Sequence, residues 1–344
     1  MIIQSLTVEN FRSHRSFSKQ LSPTVTVITG PNGSGKTSLI EAIMVSLGGS
    51  SFKATDSELL QRGAEWWRID LQLDDQTRTV KFQPGVLKPK QFVIDDKTNV
   101  RLPQVQRYPV VLFEPEDLRL LHGSPTRRRQ FIDRFAAQLI PGYNRVLRRY
   151  ERALSQRNKL LKSGGSDDAL FAWNVSLAQY GAQIIDVRLR LVERLNAGLN
   201  PTYKTIAQTK DIVTVHYSHT TIDRTEQKLL AELELNLQRD RLLGYTGVGP
   251  HRHDVLFDFN GVPAIGSASR GEVRTIILAL KFLEVDIVQE VTDKPPIVLL
   301  DDVLSELDDK RQSHLATKFQ DHQIIMTSTN PPAVIGKAKV IKLR

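Results

Sequence analysis

Two short runs, far apart in the chain, carry residues suited to phosphate chemistry. Gly30-Pro31-Asn32-Gly33-Ser34-Gly35-Lys36-Thr37 fits the pattern G-x-x-x-x-G-K-[ST], and Ser38 leads it into a helical pattern. Glycines let such a loop curl so that its backbone N–H groups face phosphate oxygens. Lys36 is then placed to reach the β- and γ-phosphates and Thr37 to offer its hydroxyl to Mg²⁺, while the helix N-terminus adds a favourable dipole. The second run, Ile297-Val-Leu-Leu-Asp301-Asp302, drives four apolar residues straight into paired carboxylates. A buried strand of a parallel sheet delivers such residues to the edge where ligands bind. Asp301 is then the acid that holds Mg²⁺, directly or through water, and Asp302 the one that orients the attacking water of a phosphoryl transfer. A mere surface loop of acids would leave the apolar run before them unexplained.

The elements that must position these residues follow from periodicity. The first third reads as strands at Ile2–Val8, Val25–Thr29, Arg68–Leu73, Thr79–Phe82, Phe92–Ile94 and Val110–Leu112, interrupted by one helix from near Gly35. From Pro125 the pattern turns helical. A helix stops before Pro141-Gly142, a second runs from Tyr143 to Lys162, and a third starts near Asp167. The last two, joined through Ser163-Gly164-Gly165, predict an antiparallel hairpin whose longest helix is about 30 residues. Beyond Pro201 come a strand at Ile212–Tyr217, a helix at about Thr225–Leu243, and a hairpin turning on Asn260-Gly261. The last eighty or so residues alternate helix and buried strand, the mark of a parallel α/β sheet. Start and finish need each other to complete that sheet, so the helical middle reads as an insertion.

Composition bounds the function. The 344 residues predict about two domains. The absence of cysteine excludes disulfides and thiolate metal sites and fits a reducing, cytoplasmic location. No apolar run approaches the length of a membrane span. The net charge is +9, and Thr126–Lys162 alone accounts for it, with eleven Lys or Arg against two acids. A local surplus of this kind marks a polyanion partner, DNA or RNA, the alternative being a solvated helical face. Arg127, Arg128, Arg134, Arg145, Arg148, Arg149, Arg152 and Arg157 are the candidates for phosphate contact, with Arg129 placed to pair with Asp133 instead. Any one of them could equally serve structure or solvation. His251 and His253 read as hydrogen-bonded structural histidines. Trp66-Trp67 offers either base stacking or packing at a strand start.

More than 260 residues separate Lys36 from Asp301, too many for a compact nucleotide kinase. About thirty residues before Asp301, Ala268-Ser269-Arg270-Gly271-Glu272 opens a helix much as the LSGGQ signature of ABC-type ATPases does, and Ser305-Glu306-Leu307-Asp308 follows where such proteins carry a D-loop. With Asn10-Phe11-Arg12-Ser13, Phe113–Leu118, Gly123–Asp133, Gln156-Arg157-Asn158, Gly249–Asp254 and Leu300–Asp308, the chain resembles the RecF family over nearly its whole length. These are SMC-like ATPases of bacterial recombinational DNA repair. Ala268 and Glu272 stand where the signature has Leu and Gln, His253 where Asp is expected, and Ser328-Thr329-Asn330 where the family tends to have Thr-Thr-Asp. A carboxylate at position 272 should repel a triphosphate.

The resemblance implies an α/β head of ABC/SMC type (a mixed sheet plus a parallel core) formed by residues 1–120 and 244–344. It also implies a mainly helical, basic insertion at 121–243 that faces DNA and the dimer partner. It implies Arg12 near the nucleotide, and Ser269 and Gly271 acting in trans on a partner's ATP. The expected activity is a weak, DNA-stimulated ATPase. Its ATP-bound homodimer clamps DNA at single-strand/double-strand junctions without sequence preference, and with RecR and RecO it helps load recombinase on gaps. Two alternatives remain: an ABC-type ATPase coupled to a membrane partner, and an SMC-like tether, which would need a longer coiled coil than the pattern provides.

Overall fold

A computed structural model describes residues 1–218, 225–330 and 338–343. The chain divides into two compact units, Met1–Asp117 with Glu284–Arg344, and Leu118–Leu283.

The first unit begins with β1 (Ile3–Phe11), β2 (His14–Gln20), β3 (Val25–Thr29), α1 (Lys36–Gly48), β4 (Trp67–Leu73), β5 (Thr77–Phe82), β6 (Lys90–Ile94), β7 (Lys97–Asn99) and β8 (Val110–Phe113). Six of these strands form an antiparallel sheet in the order β2-β1-β4-β5-β6-β7. Its inward face is set by strict alternation, as in β4, where Trp67, Ile69, Leu71 and Leu73 are all buried. The helix α1 packs against this sheet and the parallel one, burying Leu39, Ile40, Ile43, Val45 and Leu47.

The second unit holds α2 (Pro125–Leu139), α3 (Tyr143–Ser163), α4 (Asp167–Ala207), β9 (Val213–Ser218), α5 (Glu226–Leu235), α6 (Leu237–Leu243), β10 (Asp254–Phe259), β11 (Val262–Pro263), the one-turn α7 (Ala264–Ser267) and the start of α8 (Arg270–Thr292). The helices α3 and α4 form the predicted hairpin, turning at Gly164, whose φ of 70° suits glycine. Asn260 and Gly261, at φ 52° and 81°, make the predicted tight turn between β10 and β11.

Three expectations are corrected here. The second unit ends at Leu283 rather than at residue 243. The reason is that β10 pairs with β9 along its full length, from Asp254↔Ser218 to Phe259↔Val213. The unit is thus helices on a three-stranded sheet, β11-β10-β9, built from the predicted strand and hairpin. Helix α4 runs 41 residues and passes through Pro201. Proline removes one helical hydrogen bond, but Tyr203 and Ile206 beyond it are buried, Tyr203 edge-on to Phe259. Finally, the single helix expected to Leu243 breaks at Asn236 into α5 and α6.

The chain returns to the first unit with β12 (Ile297–Asp301), α9 (Asp309–Lys318), β13 (Ile324–Ser328) and β14 (Lys339–Lys342). These strands complete a wholly parallel sheet in the order β14-β3-β13-β12-β8. Strands from the early and late parts of the chain therefore share one sheet, as the sequence requires.

Candidate nucleotide and nucleic-acid sites

Because β3, β8, β12 and β13 run parallel, their C-terminal ends share one edge. The glycine-rich loop follows β3, Asp301 and Asp302 end β12, Thr327 and Ser328 end β13, and Glu114 follows β8. The loop and strand ends therefore gather the Lys36 ammonium, several hydroxyls and three carboxylates from segments hundreds of residues apart in sequence.

The loop is built as its sequence predicts. Gly35 takes φ 90°, and a Cβ there would lie 2.2 Å from Ser13 Oγ and 2.5 Å from His14 Nε2. Only glycine allows the β1–β2 turn to approach the loop this closely. Lys36 Nζ donates to the carbonyls of Gly30 (2.7 Å) and Pro31 (3.0 Å), which holds the ammonium over the loop. The N-terminus of α1 has no side-chain cap, so its first N–H groups are available to an anion.

Thr37 Oγ1 donates to both oxygens of Asp301, at 2.8 and 2.9 Å, and Thr327 Oγ1 donates to Oδ1 at 2.9 Å. Lys53 Nζ stands 3.5 Å from Asp301 Oδ2 and 3.9 Å from Glu114 Oε2. Asp302 sits in the left-handed region at φ 53°, with its N–H on Thr327 Oγ1 at 2.9 Å. Its Oδ1 is buried and accepts no hydrogen bond, and the same holds for Ser34 Oγ in the loop. Burial raises the Asp302 pKa above the usual carboxylate range, Lys36 opposes that, and Asp301 and Glu306 add to it. A strained backbone carrying a half-desolvated carboxylate with an unused oxygen suits a general base.

These features fit a magnesium–nucleotide. Thr37 and Asp301 can offer a hydroxyl and a carboxylate oxygen to Mg²⁺, which takes few protein ligands when phosphates and waters supply the others. Arg12 precedes Ser13 and His14, which approach the loop, but is itself committed to Glu41 by two bonds of 2.9 Å and to the Glu58 carbonyl. Glu41, His14 (Nε2 to Gly35 O, 3.0 Å) and Lys53 were not singled out from sequence. No spacing rule marks them, since each acts across a fold contact.

In the second unit, Ser269 and Arg270 are exposed at the start of α8. Glu272 is not a stray carboxylate there. Its Oε2 accepts the Ser269 N–H at 2.6 Å, and Ser269 Oγ accepts the Glu272 N–H at 3.4 Å. This reciprocal capping is what S-x-x-E does at helix starts.

The arginines divide sharply. Arg157 is fully buried, donating to Asp240 (2.7 Å), Thr246 (2.8 Å), Asn174 (2.6 Å) and the Leu233 carbonyl (3.4 Å). Arg128 is buried on both oxygens of Asp254, at 2.8 and 2.7 Å, and on the Gly123 carbonyl. Neither can reach a nucleic-acid backbone, and both expectations are corrected. A guanidinium has five donors in a rigid fork, which suits it to knitting buried segments together. Arg129 does not pair with Asp133. It donates to His253 O and Thr126 Oγ1, while Arg188 takes Asp133 through two bonds of 2.8 Å.

Arg134 on α2 and Arg145, Arg148, Arg149 and Arg152 on α3 are exposed, and Arg127 is half-buried. The α3 set recurs at three- and four-residue spacing and so forms one stripe, with Arg149 over the Tyr180 ring. The buried face of α3 carries Tyr143, Tyr150, Ala153, Arg157 and Leu161.

His251 and His253 are structural, as expected. His251 bonds Tyr150 Oη (2.7 Å) and Thr246 O (3.0 Å), and His253 bonds Tyr217 Oη (2.9 Å). Burial pushes the His251 pKa down to about 4, despite the Thr246 carbonyl, so the ring is neutral near pH 7. Among the described residues no helix is long and apolar enough to cross a membrane.

The chain is 34% identical over 337 residues, 96% of its length and 93% of the relative's, to the DNA replication and repair protein RecF of Lachnoclostridium phytofermentans. The chain belongs to the RecF family. RecF proteins of Clostridium perfringens and Staphylococcus aureus are each 33% identical, again covering 96% of this chain. The model of the AAA domain family matches residues 5–110, the stretch that contains the loop. Two solved RecF structures, described as RecF-ATPrS and RecF-ATP of the RecFOR pathway, superpose with TM-scores of 0.88 and 0.87. They are 28% and 29% identical and cover 98% and 99% of this chain. An Smc head bound to the C-winged helix domain of ScpA shares the fold at TM-score 0.53 and 16% identity.

Proposed function

We propose that this RecF-family P-loop ATPase is an ATP-dependent DNA-binding protein of recombinational repair and replication-fork maintenance. The convergence of Lys36, Thr37, Asp301 and Asp302 on one sheet edge carries the reading, in a chain that is RecF-like from end to end. The loop N–H groups and Lys36 bind the phosphates, Thr37 and Asp301 hold Mg²⁺, and Asp302 accepts a proton from water. Magnesium bound there would neutralise charge on the phosphate oxygens. Two copies associate with the Gly30–Ser38 loop of one facing the Ser269–Gly271 helix start of the other, and Arg12 stands at the loop's edge. Asp302 is one methylene shorter than glutamate, and a misplacement of about 1 Å can cost roughly a hundredfold in rate, so turnover is slow.

The arginine stripe of α3, with Arg134 and Arg127, grips the backbone of gapped or junction DNA without reading bases. RecR and RecO are the proposed partners, consistent with the RecFOR pathway to which the solved relatives are assigned. Fluorescence anisotropy on gapped duplex, with ATP or ADP, tests the switch, and light scattering in parallel reports the dimer. ATP should tighten binding and raise the mass, and Lys36→Ala should lose both effects. A wild-type chain that stays monomeric with saturating ATP, Mg²⁺ and DNA would refute it.

A further inference from the structure

Trp66 and Trp67 are adjacent but do opposite things. Trp67 is locked inside: its Nε1 donates to the Asp56 carbonyl at 2.8 Å, its ring stacks on Phe82 at 5.6 Å, and Phe11 meets it edge-on at 5.5 Å. Trp66, just before β4, is turned away from its buried neighbour and is 39% exposed. It lines an open recess of about 470 Å³ formed by residues 61–66 with Asn10 and Arg15. That volume lies within the range of small-ligand sites, about 300–1,000 Å³.

The recess is held rigidly from below. Gln61 N donates to Asn10 O at 2.9 Å, Arg12 N donates to Leu59 O at 2.8 Å, and Phe11 bridges to Leu60. Asn10 itself is strained, at φ 52°. Around the exposed indole stand the exposed Arg15 and Arg62. Among the described residues neither guanidinium has a hydrogen bond or ion pair, unlike the buried Arg128 and Arg157 of the second unit. Glu65 is the single acid of the lining, which leaves it net positive.

An exposed ring fixed by its neighbour supplies a stacking platform, and unpaired guanidinium groups beside it supply phosphate ligands. That pairing suits single-stranded nucleic acid, where each base offers a face and each nucleotide a phosphate. We infer that the Trp66–Arg62–Arg15 recess is a second DNA site, on the first unit, which stacks an unpaired base and holds its phosphate. The inference rests on the reading of the chain as a DNA-binding protein, but it assigns the single strand to a surface separate from the α3 stripe.

The full chain, titrated with short oligo(dT) while tryptophan emission is followed, tests it, with blunt duplex and ATP titrated separately. Oligo(dT) should quench emission. Trp66→Ala should abolish the quench and weaken oligo(dT) binding roughly tenfold, while Trp66→Phe, which keeps an aromatic face, should retain most of the affinity. Arg62→Ala should weaken oligo(dT) binding and shift its salt slope by about 0.7. Duplex binding should be unchanged in all three. A quench that survives in Trp66→Ala, unaltered oligo(dT) affinity in both alanine variants, or a response to ATP in place of oligo(dT) would each overturn the site. Duplex binding that fails while the quench stands would count against the clamp and for this recess.

Discussion

Replacing Arg157 with methionine separates a structural arginine from a DNA-contacting one. Arg157 and Asp240 are both fully buried and meet at 2.7 Å. Asp240 also accepts the Gly247 N–H at 2.9 Å, so the pair ties α3 to α6 and to the loop that follows it. Asn158 extends the network, its Oδ1 accepting from Thr246 N and Oγ1. Methionine fills similar volume but leaves Asp240 as an uncompensated buried charge, a loss of about 3–5 kcal/mol. For a unit the size of Leu118–Leu283, each kcal/mol moves Tm by about 2–4 °C, so the melt should fall by roughly 6–20 °C. The double variant Arg157→Met/Asp240→Leu removes both charges and should melt well above the single one. Arg148→Ala, on the exposed stripe, should stay within about 0.5 kcal/mol of wild type in stability while weakening DNA. Scanning calorimetry and anisotropy on gapped duplex read both properties. An Arg157→Met chain that melts like wild type yet loses DNA as Arg148→Ala does would refute the assignment.

Asp302→Asn should abolish hydrolysis while retaining nucleotide binding by filter assay, since Lys36 and Asp301 stay in place. The folded-state pKa of Asp302 lies above its unfolded value, so ionising it costs stability as pH rises through that window. Asp302→Asn should therefore raise Tm near pH 7 and not at a pH below the ordinary carboxylate value of about 3.9, and wild-type hydrolysis should lose its base at a higher pH than an unshifted carboxylate would. Glu272→Gln keeps an acceptor for the Ser269 N–H, as S-x-x-Q does, but removes a full charge. A repulsion of about 1 to 2 kcal/mol would then vanish, so half-maximal dimerisation by light scattering should need roughly tenfold less ATP; an unchanged midpoint would show that Glu272 does not face the phosphates. The slope of log K against log salt on duplex should lie between about −3 and −5. The shallow end counts Arg145, Arg148 and Arg152 alone, and the steep end adds Arg127, Arg134 and Arg149, at about −0.9 per contact.

What could be read from the sequence follows from how local each signal is. The glycine-rich loop and the Ile297–Asp301 strand are contiguous, their chemistry depends on neighbours in sequence, and both form as expected. Strand β2 gave no signal because only Phe17 in it is buried, so no alternation exists to detect. Lys53 and Glu41 were invisible for a different reason: Lys53 meets Asp301 248 positions away, and Glu41 on α1 meets Arg12 of the β1–β2 turn. The basic run shows the limit most clearly. Arg148 and Arg157 lie on one helix, and net charge weighs them alike. Periodicity places Arg157 on the line of Tyr143 and Tyr150, at seven-residue steps, which is the face that α3 buries. That offset alone marks it as inward. The partner that makes burial tolerable, Asp240, comes 83 residues later on another helix. A charge count therefore overstates the surface available to DNA by the arginines that have buried acids, and Arg128 and Arg157 are two of the eight proposed for that role.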